Sequence, residues 1–495
     1  MVVKTRLAPS PTGYMHIGNL RTALYSYLFA KQNAGKFLLR IEDTDRERFV
    51  EDGVNNILKS LYWAGIVPDE GVTLVNSDGD IVEIGENGPY EQSKRLDIYS
   101  KYVNELLEKG HAYYCFCTPE RLAELREYQQ NKKMSTGYDG CCREVGLEEA
   151  RKRIGNGEKY VVRMRMPKEG ETVFNDLIRG EVMIKNELVD DQVILKSDGF
   201  PTYHLAVVVD DHLMGVTHII RGEEWISSVP KHLQLYKYFG WETPQMAHLP
   251  LLLNSDKSKL SKRQGDVAVE DYIKKGYLPE AIINFVAFLG WNPGGERELY
   301  TLDELVGEFS LEKVGKAGAI FNLDKLNWFN KQYIKQLSDV RLLKLSLPYL
   351  ESDEIISKLC KKHDDQMMIK ALLLEKERVA TLAELPGAIR FIFQLPDYNP
   401  NLLVWKKSEG KAIKKNLSVL GEFLNTIGVQ EWNLANLNLR VGELIKNNNL
   451  TNGEILWPMR VALSGQENSP GPFEIANVLG KDECILRLNN ALNML

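Results

Sequence analysis

The chain has 495 residues, 44% apolar and 26% charged, with a formal net charge of -6. That length exceeds what one hydrophobic core usually supports, so three or four domains are expected, and the composition is that of a well-packed globular protein. The charge argues against a globally basic nucleic-acid binder but leaves room for a local basic face, such as Lys257 to Arg263 or Lys406 to Lys415, and no apolar run approaches the ~18 residues that span a bilayer.

Val2 to Ala8 reads as a short strand, ended by Pro9-Ser10-Pro11-Thr12-Gly13 because two prolines remove ladder donors. From His16 onward Leu20, Leu24, Tyr27 and Leu28 recur at helical spacing, and Gly35 stands where a helix C-cap glycine belongs. Phe37 to Ile41 is a second strand, closed by Glu42-Asp43-Thr44-Asp45. This strand–helix–strand pattern opens a parallel, Rossmann-like sheet. Residues 71–90, with Asp78-Gly79-Asp80 and Glu86-Asn87-Gly88, read as a surface hairpin. Residues 96–190 mix helical signals with four of the six cysteines and look inserted.

Strand-like runs resume at Val193 to Lys196, Ala206 to Val209 and Thr217 to Ile220, to complete the sheet. The stripe Tyr236, Tyr238, Phe239 and Trp241 reads as core, and His111, His232 and His248 as structural or surface residues. Past Leu323, tracts such as Met368 to Leu374 and Phe473 to Leu492 have amphipathic helical character, with Ser469-Pro470-Gly471-Pro472 as a break before the last helix pair. The expected fold is α/β: a parallel-sheet domain with an α+β insertion, followed by an all-α region.

Two motifs carry chemistry. In Pro9 to Asn19, a helix starting near His16 points its N-terminus and partial positive charge above the strand end, where phosphate binds. Gly13 and Gly18 let a nucleotide approach the backbone, and His16 donates to a phosphate oxygen. Far along the chain, Lys259-Leu260-Ser261-Lys262-Arg263 puts two lysines on a loop suited to closing over polyphosphate as charge moves to a leaving group. Taken singly, each also reads as an ordinary surface turn or basic loop.

Together they resemble the HIGH and KMSKS signatures of class I aminoacyl-tRNA synthetases, with Asn19, Leu260 and Arg263 as departures. Further blocks narrow the resemblance to the bacterial type of glutamyl-tRNA synthetase, over nearly the whole chain. They are Arg6 to Gly13, Arg40 to Asp45, Gly199 to Ala206, Ile220 to Trp225 and Trp457 to Gly465, in that family's order.

The resemblance implies ATP-dependent ligation of L-glutamate to tRNA-Glu through a glutamyl-adenylate, with Mg²⁺, and activation of glutamate only once tRNA is bound. It implies catalytic roles for His16, Gly18, Lys259, Ser261 and Lys262, and ATP contacts from Ala8, Gly18, Trp225 and Lys262. Glutamate would meet Arg6, Ser10, Glu42, Tyr203 and Arg221. Arginine suits this substrate because its planar fork matches a carboxylate. Arg221 is the expected reader of the side-chain carboxylate and Glu42 the partner of the ammonium. Arg40, Glu42, Asp43 and Asp45 alternatively form a strand-end ion network.

Further expectations are a monomer in the cytoplasm, no DNA or membrane partner, and tRNA-Gln as a second acceptor still open. The rival activities are a glutaminyl-tRNA synthetase, a paralogue that transfers glutamate to a tRNA base, and a catalytically inactive tRNA-binding protein. The domain plan is 1–95 and 191–250 for the catalytic halves and 96–190 for an acceptor-end-binding insertion. Residues 251–325 form a connecting domain and 326–495 an anticodon-binding region.

Cys115, Cys117 and the Cys141-Cys142 pair have the spacing of a structural zinc site. Some glutamyl-tRNA synthetases carry Cys-x-Cys followed by Cys-x-His there, and others hold no zinc. Here Glu144 replaces the histidine, so Glu144, Cys141 and Tyr138 all stand as candidates for the fourth ligand, and inert cysteines are the alternative.

Overall fold

The computed structural model describes residues 2–75, 79–260, 268–360, 364–406 and 410–495. They form two compact units, Met1–Tyr272 with Pro279–Leu326, and Ile273–Leu278 with Asn327–Leu495. Ser261, Lys262, the rest of the basic run to Arg263, Asp78, and residues 407–409 of the second basic run lie outside the described residues.

The first unit opens with β1 (Lys4–Leu7), α1 (Ile17–Gln32) and β2 (Lys36–Leu39). It continues with α2 (Gly53–Trp63), β3 (Glu70–Leu74) and β4 (Ile81–Ile84). β1, β2 and β3 are parallel neighbours, and β4 closes that edge antiparallel to β3 as the hairpin expected at 71–90. Glu70, buried, accepts from Lys4, Asn87 and Tyr90 at 2.7–2.9 Å, which pins the hairpin's return to β1.

Gly35 is not the helix cap. The α1 C-cap is Asn33, and Ala34 takes the left-handed backbone with φ 49°. Gly35 is required because a Cβ there would stand 2.1 Å from the Val3 carbonyl oxygen, where the chain turns beneath β1.

Next come α3 (Leu96–Glu108), β5 (Ala112–Cys115), α4 (Pro119–Asn131), α5 (Leu147–Gly155) and β6 (Val161–Met164). β7 (Glu171–Asp176), β8 (Gly180–Lys185), β9 (Val193–Leu195), α6 (Tyr203–Leu213) and β10 (His218–Gly222) follow, then α7 (Val229–Phe239) and β11 (Gln245–Leu249). A second sheet runs β10-β11-β7-β8, parallel across its first three strands, so residues 171–185 join this sheet rather than a separate layer. Thr217, just before β10, exchanges backbone and side-chain hydrogen bonds with Lys4 of β1, which sets the two sheets edge to edge.

Two of the three strand expectations in this stretch need correction. Val193–Leu195 is a strand, but of the antiparallel sheet β5-β6-β9. Ala206–Val209 lies inside α6 with every residue buried. A short apolar run buried on all sides has the same pattern as a core strand, so periodicity alone does not separate them. The burial comes from α3, α7 and the β5-β6-β9 sheet, whose Val103, Leu106, Met164, Ile194, Leu235 and Tyr236 make one core with α6. Tyr236 and Phe239 are core as expected, with Tyr238 and Trp241 packed at its margin.

The second unit is helical among its described residues. Its helices include Asp339–Ser352, Asp365–Glu375, Gly410–Asn425, Leu434–Asn447, Asn452–Ser464, and a last pair, Pro472–Leu479 and Lys481–Met494. Their amphipathic faces bury Leu420, Leu424, Val441, Ile455, Met459 and Leu488. Arg487, buried among them, donates to the carbonyls of Phe391, Ile392 and Leu463 at 2.7–2.8 Å, satisfying helix-end acceptors that apolar packing cannot. No described helix is long and apolar enough to cross a membrane.

Candidate active site

A cavity of about 1020 Å³ opens in the first unit above the C-terminal ends of β1, β2 and β10, where ligands of open parallel sheets bind. Arg6, Ala8, Ser10, His16 and Gly18 line it from the first strand and turn. Glu42, Tyr203, Arg221 and Trp225 line it from the later elements, and Lys259 and Leu260 reach it from the basic run. Ala268 forms an antiparallel bridge with His16 at the α1 N-terminus.

His16 is the N-cap of α1, with Nδ1 accepting the Gly18 N–H at 2.9 Å. A neutral ring that accepts at Nδ1 carries its proton on Nε2. The N–H groups of Gly18 and Asn19 are both taken by His16, so these two do not stand as free amides at the helix start. A Cβ on Gly18 would press within 3.2 Å of that imidazole.

The cavity floor is an ion network. Arg40, 0% exposed, pairs with Asp211 at 2.8 Å and Glu42 at 3.0 Å, and Arg6 reaches Asp211 at 3.3 Å. Asp210 beside it accepts from Arg95, Gln92 and Tyr99 at 2.8–2.9 Å. Burial opposes the charge of Asp211, but Arg6 and Arg40 outweigh it and hold its carboxyl below the usual range. For Glu42 burial wins over Arg40 and pushes the carboxyl up. Arg40 and Glu42 thus belong to the strand-end network, Glu42 also facing the cavity. Asp45 instead pairs with Arg48 at the surface.

Arg221 is held differently. Its Nε donates to His248 Nε2 at 3.0 Å, and Nη1 donates to the Tyr203 hydroxyl at 3.0 Å and His232 Nδ1 at 3.4 Å. Nη2 is buried and has no hydrogen-bond partner among the described residues, and none of their carboxylates lies within 4.0 Å of the guanidinium. His248 is cross-strand neighbour to Arg221 in the β10–β11 register and gives its Nδ1 proton to Asp176 at 2.6 Å. Burial pulls both His232 and His248 below the ordinary histidine range, His248 against the bond to Asp176, so both are neutral. Neither was expected at the site. A buried neutral histidine behind an arginine leaves no spacing signal in sequence.

The family model described as class I tRNA synthetases (E and Q), catalytic domain, matches residues 2–328, and an anticodon binding domain matches 341–492. Glutamate–tRNA ligases from Finegoldia magna and Clostridioides difficile are 45% and 44% identical, each aligned over 99% of this chain and 98–99% of their own. The chain belongs to the glutamate–tRNA ligase family of class I tRNA synthetases. A crystal structure of a glutamate tRNA ligase from Elizabethkingia meningosepticum, in complex with its amino acid, superposes with a TM-score of 0.87 at 35% identity, covering 100% of this chain and 99% of that one. The family's two-part plan, a class I catalytic domain followed by a helical anticodon-binding domain, is the architecture described above.

In this ligase the cysteine cluster sits away from the cavity. The Sγ atoms of Cys115, Cys117 and Cys142 lie within 4.8 Å of one another, with Cys117 and Cys142 at 3.6 Å. Tetrahedral zinc–thiolate bonds place sulfurs about 3.8 Å apart, so the donor set fits. Tyr138 Oη stands 3.4 Å from Cys115 Sγ and 3.7 Å from Cys117 Sγ, with the Arg163 guanidinium 3.8 Å over its ring. Glu144 does not join: its side chain is 89% exposed and faces Arg165. Cys141 is exposed and outside the sulfur cluster. Of the three candidates for a fourth ligand, only the Tyr138 hydroxyl stands beside the sulfurs.

Proposed function

We propose that the cavity activates L-glutamate with ATP and passes it to the 3′ end of tRNA-Glu, with Arg221 reading the side-chain carboxylate. The observation that carries this is the buried Nη2 of Arg221, a donor on a cavity-lining guanidinium that has no counter-ion among the described residues. A buried, unpaired cation is costly unless a ligand supplies its anion. The neutral amide of glutamine does not, which separates this site from a glutaminyl one. The helical second unit, matched over 341–492 by the anticodon model, disfavours a base-modifying paralogue that lacks it.

Glu42 receives the ammonium, Arg6 and Ser10 address the α-carboxylate, and Tyr203 fixes Arg221 from the opposite side. Ala8, Gly18 and Trp225 bracket ATP, while His16 Nε2–H and Lys259, with Ser261 and Lys262, stabilise the phosphates; Mg²⁺ supplies further charge when bound. The substrate carboxylate attacks the α-phosphorus and pyrophosphate leaves; the 2′-hydroxyl of the terminal adenosine then attacks the acyl carbon of the adenylate, the acyl–phosphate bond breaks and AMP leaves with the hydroxyl proton. No side-chain nucleophile takes part, so rate comes from positioning and electrostatics. Residues 96–190 hold the acceptor end, stiffened by a structural zinc on Cys115, Cys117, Cys142 and Tyr138, and residues 251–325 carry the lysine loop. The enzyme acts as a cytoplasmic monomer.

Radiolabelled glutamate, ATP and Mg²⁺ incubated in parallel with purified tRNA-Glu and tRNA-Gln test this. Label on tRNA-Glu is expected. Label on both adds tRNA-Gln as an acceptor, and label on neither from folded protein refutes the activity.

A further inference from the structure

The buried arginines of the cavity wall and of the ion network beneath it are partnered in different ways. Arg6, Arg40 and Arg95 meet the carboxylates of Asp210, Asp211 and Glu42. Arg21, also in the wall, gives both Nη atoms to the carbonyls of Leu289 and Pro250. Arg221, 4% exposed, is gripped on three sides by a phenol and two imidazoles, none of which carries charge.

The proton positions follow from the arginine, which only donates. His232 Nδ1 must accept from Arg221, so its proton is on Nε2, which donates to His204 Nδ1 at 3.1 Å. His204 is itself pushed down to about 3, chiefly by burial, so this arm stays neutral at working pH. On the other arm the Asp176 carboxylate is kept one ring away, behind His248. The wall thus orients the guanidinium through hydrogen bonds without supplying a counter-ion.

We infer that His232 is a positioning residue that sets the charge of the accepted substrate, because it holds Arg221 with a neutral acceptor and leaves the counter-ion to the substrate. A carboxylate at 232 would pair with Arg221 internally. The pocket would then lose its demand for an anion while keeping its shape. This inference rests on the role given to Arg221 above.

The test compares His232→Asn with His232→Asp, near-isosteres that differ in charge and place an oxygen near the Nδ1 position. Full-length protein, ATP, Mg²⁺ and tRNA-Glu are used, glutamate is titrated, and L-glutamine serves as competitor. His232→Asn should keep the glutamate KM within about threefold, whereas His232→Asp should raise it on the order of 100-fold with the ATP KM unchanged. The ratio of glutamate KM to glutamine Ki, which does not depend on the folded fraction, should rise in His232→Asp alone. Equal losses in the two variants, or an unchanged ratio in His232→Asp, overturn the inference. Should the aspartate variant not fold, His232→Gln against His232→Glu asks the same question. Arg221→Gln separates the layers: an unchanged glutamate KM there removes the reading of Arg221 itself, while a raised one beside a silent His232→Asp removes only this inference.

Discussion

Arg40 and Asp211 meet at 2.8 Å although 171 residues separate them in sequence, and both are shut off from solvent. The pair ties β2 to α6 beneath the cavity, and Asp211 also takes Arg6. Removing one partner of such a pair strands a buried charge, which costs about 3–5 kcal/mol. Asp211→Ala should therefore lower stability by that amount in denaturant unfolding. Lys109→Ala, which removes the exposed pair with Glu105, should cost no more than about 1 kcal/mol. Equal effects would show that the network is not a stability element.

The same network predicts an acid limb. Asp211 and Asp176 have folded values below their ordinary 3.8, so each contributes stability that is full above about pH 4 and is lost as pH falls through the lower folded value. Glu42, raised above 4.5, has the opposite sign: its contribution is present below that value and is lost as pH rises through the folded one. A melting-temperature series should fall steeply below pH 4, and Asp211→Asn should flatten that fall.

How much of this was legible in the sequence depended on whether the chemistry dictated residue type. The family resemblance pointed to Arg221, and a planar guanidinium suits the carboxylate-reading role proposed for it. His232 and His248 did not stand out, because their role is to be neutral and buried, and burial is a property of the packed helix α7 and strand β11. Ala206–Val209 was misread for a related reason, since an apolar run carries no period once every side is covered. Tyr138 and Glu144 are equivalent candidates in sequence, and only the folded chain places the phenol beside the sulfurs and the carboxylate in solvent.

Arg221→Leu should dissociate activity from stability. Losing a charge-paired contact of roughly 2–5 kcal/mol should cut kcat/KM for glutamate by about a thousandfold. Stability should fall by less than in Asp211→Ala, because no intramolecular ion pair among the described residues is broken. Near-normal charging by folded Arg221→Leu protein would remove Arg221 from substrate recognition.

Zinc content discriminates the candidate ligands. The protein should retain zinc through gel filtration, measured by atomic emission, and Cys142→Ser should abolish it. Tyr138→Phe should weaken retention against a chromophoric chelator, whereas Glu144→Ala should not. A metal-free wild-type protein, or Glu144→Ala behaving as Cys142→Ser does, would reject the assignment to Tyr138.

His16 has two jobs that substitution can pull apart. Its Nδ1 caps α1, and caps contribute about 0.5–2 kcal/mol, a function that asparagine performs as well. Its Nε2–H faces the phosphates in the proposed reaction, and asparagine has no donor at that reach. His16→Ala should therefore lose both stability and rate, while His16→Asn should regain the stability and leave the rate low. For a single electrostatic donor the deficit in tRNA-dependent ATP–pyrophosphate exchange should be about 10²–10³-fold. Exchange restored together with stability in His16→Asn would mean that the histidine matters only because it holds the helix start in place.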